Sequence, residues 1–276
     1  MNPKEEIAKQ LQKSTGQNHV RLTSSGNMAI FVALATAKSI GKKTVLIPAD
    51  GGWISYKTYP EMLGMKIKEI KTELGLLDHA DLSKKANSQS CLLYNSLAAY
   101  VIEQNVFEIE KICVKNECLT INDCTGLIGT DLCIGNMLVA SFGEGKIVNS
   151  GYGGMISFSS KESFELAKTA LSLDALHDSE LPQILKAIND IDTRRDFLTK
   201  IRDSIRTDLS EFRIIHKESN HAINVIILYR TDAELKKITD YCESHNYQFV
   251  LCPKYIKLDV QGVSIEVKKI KMPVTK

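Results

Sequence analysis

The sequence predicts an α/β protein with a mainly parallel sheet in a large domain and a small α+β domain at its C-terminus. Short apolar runs alternate with amphipathic helical segments through most of the chain, which is typical of a parallel sheet covered by helices. Polar or glycine-containing turns follow several of these runs, as they do at the carboxyl ends of parallel strands. The last part of the chain instead predicts strand, helix, strand, strand. We therefore divide the chain into a large domain, residues 1–200, and a small domain, residues 201–276.

Local signals place the elements in order along the chain. A polar amphipathic helix comes first, and Ser25-Gly26 opens a second helix whose apolar residues recur at helical spacing. Pro48 ends the first short apolar run, and a Gly-Gly-Trp turn follows it. The predicted helices cover residues 4–14, 27–39, 55–63, 106–115, 182–209 (as one helix or two) and 232–245. The predicted strands cover residues 45–47, 67–70, 91–94, 119–122, 137–142, 155–158, 222–228, 248–251 and 263–267.

Composition and charge favour an ordinary globular protein of the cytoplasm. Of the 276 residues, 43% are hydrophobic and 25% are charged, and the formal net charge of +2 gives no reason to expect nucleic acid or an anionic membrane as a partner. No apolar run is long enough to span a bilayer. The seven cysteines form no CxxC pair and the histidines lack metal-ligand spacing, so we expect reduced thiols and no metal site. The Lys-rich tail, residues 268–276, is expected to be solvated.

An acid and a lysine follow neighbouring predicted strands. Asp123 comes directly after one apolar run, and Lys146 comes shortly after the next. Such a pair in one crevice is what pyridoxal phosphate needs, because the lysine forms a Schiff base with it and the aspartate keeps its pyridine nitrogen protonated. A desolvated lysine is expected to have a lowered pKa, which makes it a usable nucleophile. On residue type alone, an Asx turn and a surface lysine also explain the two residues.

Two further segments suit the same ligand, each with an ordinary structural alternative. Ser25, Gly26 and Asn27 lie at the start of a helix, whose N-terminal N–H groups make a phosphate site, although a plain serine cap explains the same residues. Trp53, the only tryptophan, lies in a glycine-rich turn after a strand. Its indole either stacks on a flat ligand ring or packs in the core.

These residues resemble the DegT/DnrJ/EryC1/StrS sugar aminotransferase family over roughly residues 16–160. The resemblance rests on the Ser-Gly-Asn turn at 25–27, on Asp123 followed by small residues, and on the motif Ser141-Phe142-x-x-x-Lys146 with Gly153-Gly154 after it. It implies the type I pyridoxal-phosphate-dependent transferase fold, pyridoxal 5'-phosphate as cofactor and a homodimer. It also implies transfer of an amino group from an amino acid to a small carbonyl or keto-sugar acceptor. By resemblance, the phosphate contacts are Ser25, Gly26, Asn27 and Ser141, the ring contact is Trp53, and the catalytic residues are Asp123 and Lys146.

The chain departs from the family pattern in four places. Asn27 replaces the family's usual Thr or Ser, and Tyr152 replaces the Glu that usually precedes the Gly-Gly pair. Gly126 stands where the family has His or Gln, and the family's Asn-Tyr-Arg-like substrate loop has no counterpart between residues 161 and 184. A substrate anion must then be bound elsewhere, and the candidates are Arg194, Arg195, Arg202 or a residue of a neighbouring subunit. These departures keep two alternatives open. One is another pyridoxal-phosphate activity, such as a lyase or a sulfur- or selenium-transferring enzyme, and the other is a non-catalytic descendant of the fold.

Overall fold

A computed structural model describes residues 3–273 as a mixed α/β structure. The α-helices are α1 (Pro3–Thr15), α2 (Gly26–Ser39), α3 (Ser55–Met62), α4 (His79–Lys85), α5 (Val106–Lys115), α6 (Lys161–Leu171), α7 (Leu181–Asn189), α8 (Ile191–Asp208) and α9 (Asp232–Ser244). The strands are β1 (His19–Thr23), β2 (Thr44–Pro48), β3 (Lys66–Ile70), β4 (Thr72–Glu73), β5 (Leu76–Leu77), β6 (Ser90–Asn95), β7 (Leu97–Ala98), β8 (Ile102–Glu103), β9 (Leu119–Asp123), β10 (Met137–Ser141), β11 (Gly154–Phe158), β12 (Ile214–Ile215), β13 (Val225–Leu228), β14 (Phe249–Cys252) and β15 (Gly262–Ile265). Two short 3-10 helices cover Asp178–Glu180 and Val267–Lys269.

Seven strands form the large sheet, in the order β1-β11-β10-β9-β6-β2-β3. From β10 to β3 each strand is parallel to the next, whereas β11 lies antiparallel between β1 and β10. The predicted mainly parallel sheet is therefore confirmed. Because β9 and β10 are parallel neighbours, their carboxyl ends lie side by side at one edge of the sheet.

Helices cover both faces of this sheet, which is why its strands are apolar at successive positions. Val45 and Ile47 of β2 pack in one apolar cluster with residues of α2. Leu46, between them, packs in another cluster with Val106 and Ile109 of α5. Alternating side chains of a strand point to opposite faces, so a run such as Val45–Ile47 requires a cover on each side.

The C-terminal part forms a second sheet, which is antiparallel and has the order β12-β13-β15-β14. One large apolar cluster joins this sheet to the rest of the molecule, since it contains Leu11 of α1, Leu198 of α8 and Ile265 of β15. The predicted domain division at residue 200 falls inside α8 and stays a prediction. Among residues 3–273, no helix is both long enough and apolar enough to cross a bilayer.

The observed elements differ from the prediction mainly where polar residues interrupt the apolar pattern. The segment 182–209 forms two helices, α7 and α8, which meet at Asp190. The last predicted strand ends at Ile265, because Val267 begins a 3-10 helix. The prediction missed β1, whose five residues include His19 and Arg21, and it missed α4, α6 and the two-residue strands.

Two glycines allow α2, β10 and β11 to approach closely. A Cβ atom on Gly154 would lie 2.7 Å from the carbonyl oxygen of Ala140 and 2.7 Å from the amide nitrogen of Gly26. A Cβ atom on Gly26 would lie 2.5 Å from Cβ of Ser141. Both distances are far below van der Waals contact, so the start of α2 is pressed against the carboxyl end of β10 only because these residues lack side chains.

We expect Gly154→Ala to lower the free energy of unfolding by about 1–3 kcal/mol, because the added methyl group meets backbone atoms that cannot move aside. Urea denaturation of the two proteins measures the difference. Gly143→Ala is the matched control, since its Cβ would meet only the Ser141 hydroxyl at 3.4 Å, and its stability should change by less than about 1 kcal/mol. Equal losses in both variants would contradict this account of the packing.

Candidate functional site

A cavity of about 500 Å³ lies at the carboxyl ends of the central strands and is closed on one side by the C-terminal segment. The large sheet and the start of α2 form one wall, and residues from β14 to Lys269 form the other. The structure places all seven residues predicted from the sequence in this cavity. They are Ser25, Gly26, Asn27, Trp53, Asp123, Ser141 and Lys146.

Asp123 is the last residue of β9, and three hydrogen bonds fix its carboxylate. The Tyr56 hydroxyl donates to Oδ2 at 2.8 Å, and Thr125 donates to Oδ1 through both its backbone N–H, at 3.1 Å, and its hydroxyl. Burial, together with the neighbouring Asp123 charge, raises the pKa of Tyr56 well above its ordinary value. Tyr56 therefore stays protonated and remains a donor. Thr125 in turn accepts the Ser141 N–H at 3.0 Å, which joins the ends of β9 and β10.

The Lys146 ammonium points at two aromatic rings. Its Nζ donates to the Tyr100 hydroxyl at 2.9 Å and lies 5.3 Å from the centroid of the Trp53 ring. Burial alone would lower the pKa of Lys146. Tyr100 raises it by attraction and by the hydrogen bond, and Asp123 and Glu266 add to the rise, so the net pKa lies above its ordinary value. The lowered pKa expected from the sequence is therefore wrong for this arrangement, because attractive neighbours outweigh desolvation.

A strained turn aims Tyr100 into the cavity. Between β7 and β8, Ala99 and Tyr100 have φ angles of 48° and 65°, a left-handed conformation that side-chain-bearing residues seldom adopt. The same turn explains why residue 126 is glycine. A Cβ atom on Gly126 would lie 2.6 Å from Leu97 Cδ2 and 3.3 Å from Tyr100 Cδ1, so the space beside it is already filled. The side chains of Leu97 and Tyr100 therefore occupy the space that a side chain at position 126 would need.

The start of α2 and the end of β10 form the hydroxyl-rich end of the cavity. Ser25 caps α2, since its Oγ accepts the Met28 N–H at 3.1 Å. The Ser141 hydroxyl accepts the Gly143 N–H at 3.3 Å. The cap interpretation and the phosphate interpretation of Ser25 are therefore compatible, because the capping serine also lines the cavity. Helix N-termini of this kind favour anions through their free N–H groups and the helix dipole.

Trp53 does not pack in the core. It is 36% exposed, and its indole N–H donates to Asn27 Oδ1 at 2.9 Å. This bond fixes the indole at the edge of the cavity, beside Lys146. It also gives Asn27 a positioning role that a shorter threonine or serine side chain would fill differently.

The wall formed by the C-terminal segment carries a cluster of buried charges that the sequence did not reveal. Glu266 forms ion pairs with Lys257, at 2.5 Å, and with Lys268. Burial would raise the pKa of Glu266, but the two ammonium groups outweigh it and lower the pKa to about 2. Burial lowers the pKa of Lys268 to about 8 despite Glu266. The expectation of a solvated tail is wrong at Lys268, which the fold encloses; residues 274–276 lie outside the described residues.

The three arginines proposed for a substrate anion do not line the cavity. Arg194 is buried and donates to the carbonyl oxygens of Lys146 and Lys268, each at 2.7 Å. Arg195 donates to the Ile128 carbonyl oxygen, and Arg202 donates to the Ala222 carbonyl oxygen. These guanidinium groups are used to hold the backbone, so the predicted substrate role is not supported within this chain.

All seven cysteines are buried thiols.

The donor set of the cavity fits pyridoxal phosphate. A lysine amine suits an aldehyde, a carboxylate suits a pyridine nitrogen, and an indole suits the face of a ring. The serine hydroxyls and the start of α2 suit a phosphate. In addition, Asn95 Oδ1 is a buried acceptor in the cavity wall with no hydrogen-bond partner among residues 3–273, which is typical of a group that meets a ligand.

No protein-family model matches the sequence, and no curated protein matches it. Solved structures match over almost the whole chain. PseC of Helicobacter pylori, an aminotransferase involved in the biosynthesis of pseudoaminic acid, is 14% identical with a TM-score of 0.78, over 96% of this chain and 86% of that one. 3-Amino-5-hydroxybenzoic acid synthase is 14% identical with a TM-score of 0.74, over 97% and 86%. The GDP-4-keto-6-deoxy-D-mannose-3-dehydratase of E. coli, with bound hydrated PLP, is 12% identical with a TM-score of 0.74, over 96% and 87%.

At these identities the similarity shows the fold. The matched proteins include an aminotransferase and a dehydratase, so the fold alone does not identify one reaction. The type I transferase fold predicted from the motifs is confirmed: the chain folds as the sugar aminotransferases do.

Proposed function

We propose that the chain is a pyridoxal-phosphate-dependent aminotransferase that takes an amino group from an amino acid and gives it to a small carbonyl compound or a keto-sugar. The observation that supports this most directly is the meeting of Asp123 and Lys146 in one cavity, with Trp53 between the lysine and the start of α2. Proteins of the same fold include an aminotransferase and an enzyme with bound PLP. When bound, pyridoxal phosphate supplies a ring that withdraws electrons from the α-carbon of the substrate.

Each polar residue of the cavity has a role in this proposal. Lys146 Nζ would hold the cofactor through its aldehyde and would move a proton at the substrate α-carbon. The Tyr100 hydroxyl holds that nitrogen in place. Asp123, whose orientation is fixed by Tyr56 and Thr125, pairs with the protonated ring nitrogen.

The remaining predicted residues hold and cover the cofactor. Ser25, Gly26, Asn27 and Ser141 would hold the phosphate. Trp53 would cover the ring and, with Tyr100, would limit the access of water to Lys146.

A lyase is the second candidate, because a dehydratase with bound PLP shares the fold. Sulfur or selenium transfer is less well supported, since a transferring thiol must reach its substrate and every cysteine of this chain is buried. The spectral response of the purified protein to amino-acid donors separates the first two candidates. If an amino-acid donor converts the bound cofactor to its amine form, aminotransfer is supported. If no donor does so and the protein still converts a substrate without a donor, a lyase is supported.

We expect Lys146→Ala to lose the visible absorbance of bound pyridoxal phosphate, because the only lysine that is proposed to attach it is gone. In the parent protein, borohydride reduction followed by mass spectrometry should place the cofactor on Lys146. Lys236→Ala is the control, since Lys236 lies on the surface of α9 and pairs only with Asp240. A label on another lysine of the parent protein would overturn the assignment.

We expect Asp123→Asn to reduce turnover with an amino-acid donor by about 100-fold or more, equivalent to about 2.7 kcal/mol, while cofactor content changes little. The amide still accepts the bond from Tyr56 but no longer stabilises a charged ring nitrogen. Tyr56→Phe is the companion variant. It leaves the carboxylate and removes one hydrogen bond, so its loss should be smaller. Parent-like turnover in Asp123→Asn would refute the role of Asp123.

We also propose a cytoplasmic homodimer in which the partner covers the mouth of the cavity. Trp53 and its neighbour Ile54 are exposed there, at 36% and 56%, and the buried free thiols suit a reducing compartment. Sedimentation at micromolar concentration should give a dimer. Ile54→Lys should shift it towards monomer, whereas Val114→Lys, at an even more exposed apolar position on α5, should not. A monomeric parent protein would contradict the proposal.

A further inference from the structure

Besides Lys146, the cavity contains two buried lysines that the proposed roles leave unused. Lys257 and Lys268 line it, and their side chains are only 4% and 7% exposed. Both ammonium groups bind the carboxylate of Glu266, which itself lines the cavity. These three buried side chains together carry a net charge of +1, and two further lysines, Lys254 and Lys269, line the same wall.

Glu266 already accepts four hydrogen bonds, whereas the two lysines keep donors that are not used. Its Oε1 accepts bonds from Lys257, Asn224 at 3.1 Å and Ser264 at 3.0 Å, and its Oε2 accepts one from Lys268. A carboxylate has about four acceptor positions. Each ammonium has three N–H donors, and Glu266 is the only hydrogen-bond acceptor of either one among residues 3–273. Buried ammonium groups with unused donors in a cavity wall are expected to meet an anion.

The backbone holds both lysines at fixed positions. The carbonyl oxygen of Lys268 accepts a bond from Arg194 at 2.7 Å, and its N–H donates to the Ile223 carbonyl oxygen at 2.8 Å. The N–H of Lys257 donates to the Lys254 carbonyl oxygen at 2.8 Å. The ion pairs with Glu266 then hold the two ammonium groups in the wall.

Tyr100 relates this pair to the reacting lysine. The Nζ atoms of Lys146 and Lys268 each lie 5.0 Å from the centroid of the Tyr100 ring. The two nitrogens can then be no further apart than twice that distance. A molecule of the size of an amino acid can reach both.

We propose that Lys257 and Lys268 bind the carboxylate of the amino-acid substrate. A single carboxylate neutralises the net charge of +1 of the buried cluster Lys257, Glu266 and Lys268, whereas a phosphate dianion would leave that cluster with a negative charge. The hydroxyls and helix terminus that suit a phosphate lie in the other wall. The inference deepens the proposed aminotransferase function, on which the identity of the substrate rests, but the anion site itself is independent of the cofactor.

Calorimetric titration of the purified full-length chain with glutarate tests the site, with neutral glutaramide as the uncharged probe. We expect glutarate to bind and glutaramide to bind far more weakly. Lys268→Met and Lys257→Met, which keep the alkyl chain and lose the charge, should each weaken glutarate binding by about 10-fold to 100-fold. Lys268→Arg should retain most of the affinity. Lys236→Met, which removes a lysine from a surface ion pair, should leave it unchanged.

The dependence on pH distinguishes direct binding from a structural role. Lys268 faces Glu266, Lys257, Lys146 and the Tyr100 ring, and its pKa is lowered to about 8, chiefly by burial. Lys268 is charged below that pH and neutral above it, while glutarate stays ionised throughout. Glutarate binding to the parent protein should therefore weaken as the pH rises through about 8. Lys268→Met should lack this step.

Three results would overturn the proposal. They are equal binding of glutarate and glutaramide, unchanged glutarate affinity in folded Lys257→Met and Lys268→Met, and preferred binding of inorganic phosphate that is lost in Lys268→Met. Circular dichroism establishes that the variants are folded. If glutarate binds through these lysines in a protein that never attaches pyridoxal phosphate to Lys146, the anion site stands and the aminotransferase function fails. If the cofactor attaches and glutarate ignores the lysines, the reverse holds.

Discussion

The hydrogen bonds of the buried Arg194 guanidinium hold the two walls of the cavity together. The guanidinium binds the carbonyl oxygen of Lys146, in the loop after β10, and that of Lys268, in the segment after β15. These two segments belong to different sheets and form facing parts of the cavity. Without a donor between them, two buried carbonyl groups would be unpaired, which costs about 1–3 kcal/mol for each group. Arg194 therefore joins the two sheets at the place where the chemistry is proposed to occur, and this explains why it is not available to a substrate.

The charges of the cavity are interdependent. Lys146, Lys257 and Lys268 share the cavity with Asp123 and Glu266, and two phenols lie beside these charges. Tyr56 binds Asp123, and the Nζ atoms of Lys146 and Lys268 each lie 5.0 Å from the centroid of the Tyr100 ring. Removal of one partner from a buried ion pair leaves its counterpart uncompensated, which is far more costly than loss of the pair as a whole. The phenols avoid this problem, because they are polar without being charged. Their role is to keep groups of like or opposite charge at fixed separations.

The sequence predicted what short-range signals encode. Asp123 and Lys146 were found because each follows an apolar strand and because the Ser-Phe-x-x-x-Lys spacing is local. The parallel sheet was predicted for the same reason, from alternating runs such as Val45–Ile47. Tyr100 could not be found, since its position depends on a left-handed turn and on the absence of a side chain at Gly126.

In the C-terminal wall, the sequence predicted solvent exposure for a residue that the fold buries, Lys268. Lys257, Glu266 and Lys268 lie on either side of β15, and only the tertiary fold encloses them. Lysine is seldom buried, so a Lys-rich tail predicts solvent exposure. The four hydrogen bonds that Glu266 accepts also have a thermodynamic consequence. A lysine side chain carries about 2 kcal/mol of rotamer entropy, and Lys257 and Lys268 lose much of it when the protein folds, because Glu266 and the surrounding wall already restrain them. An anion that binds in the cavity therefore meets side chains that are already largely ordered, and the free energy of binding is reduced little by the entropy cost of immobilising them.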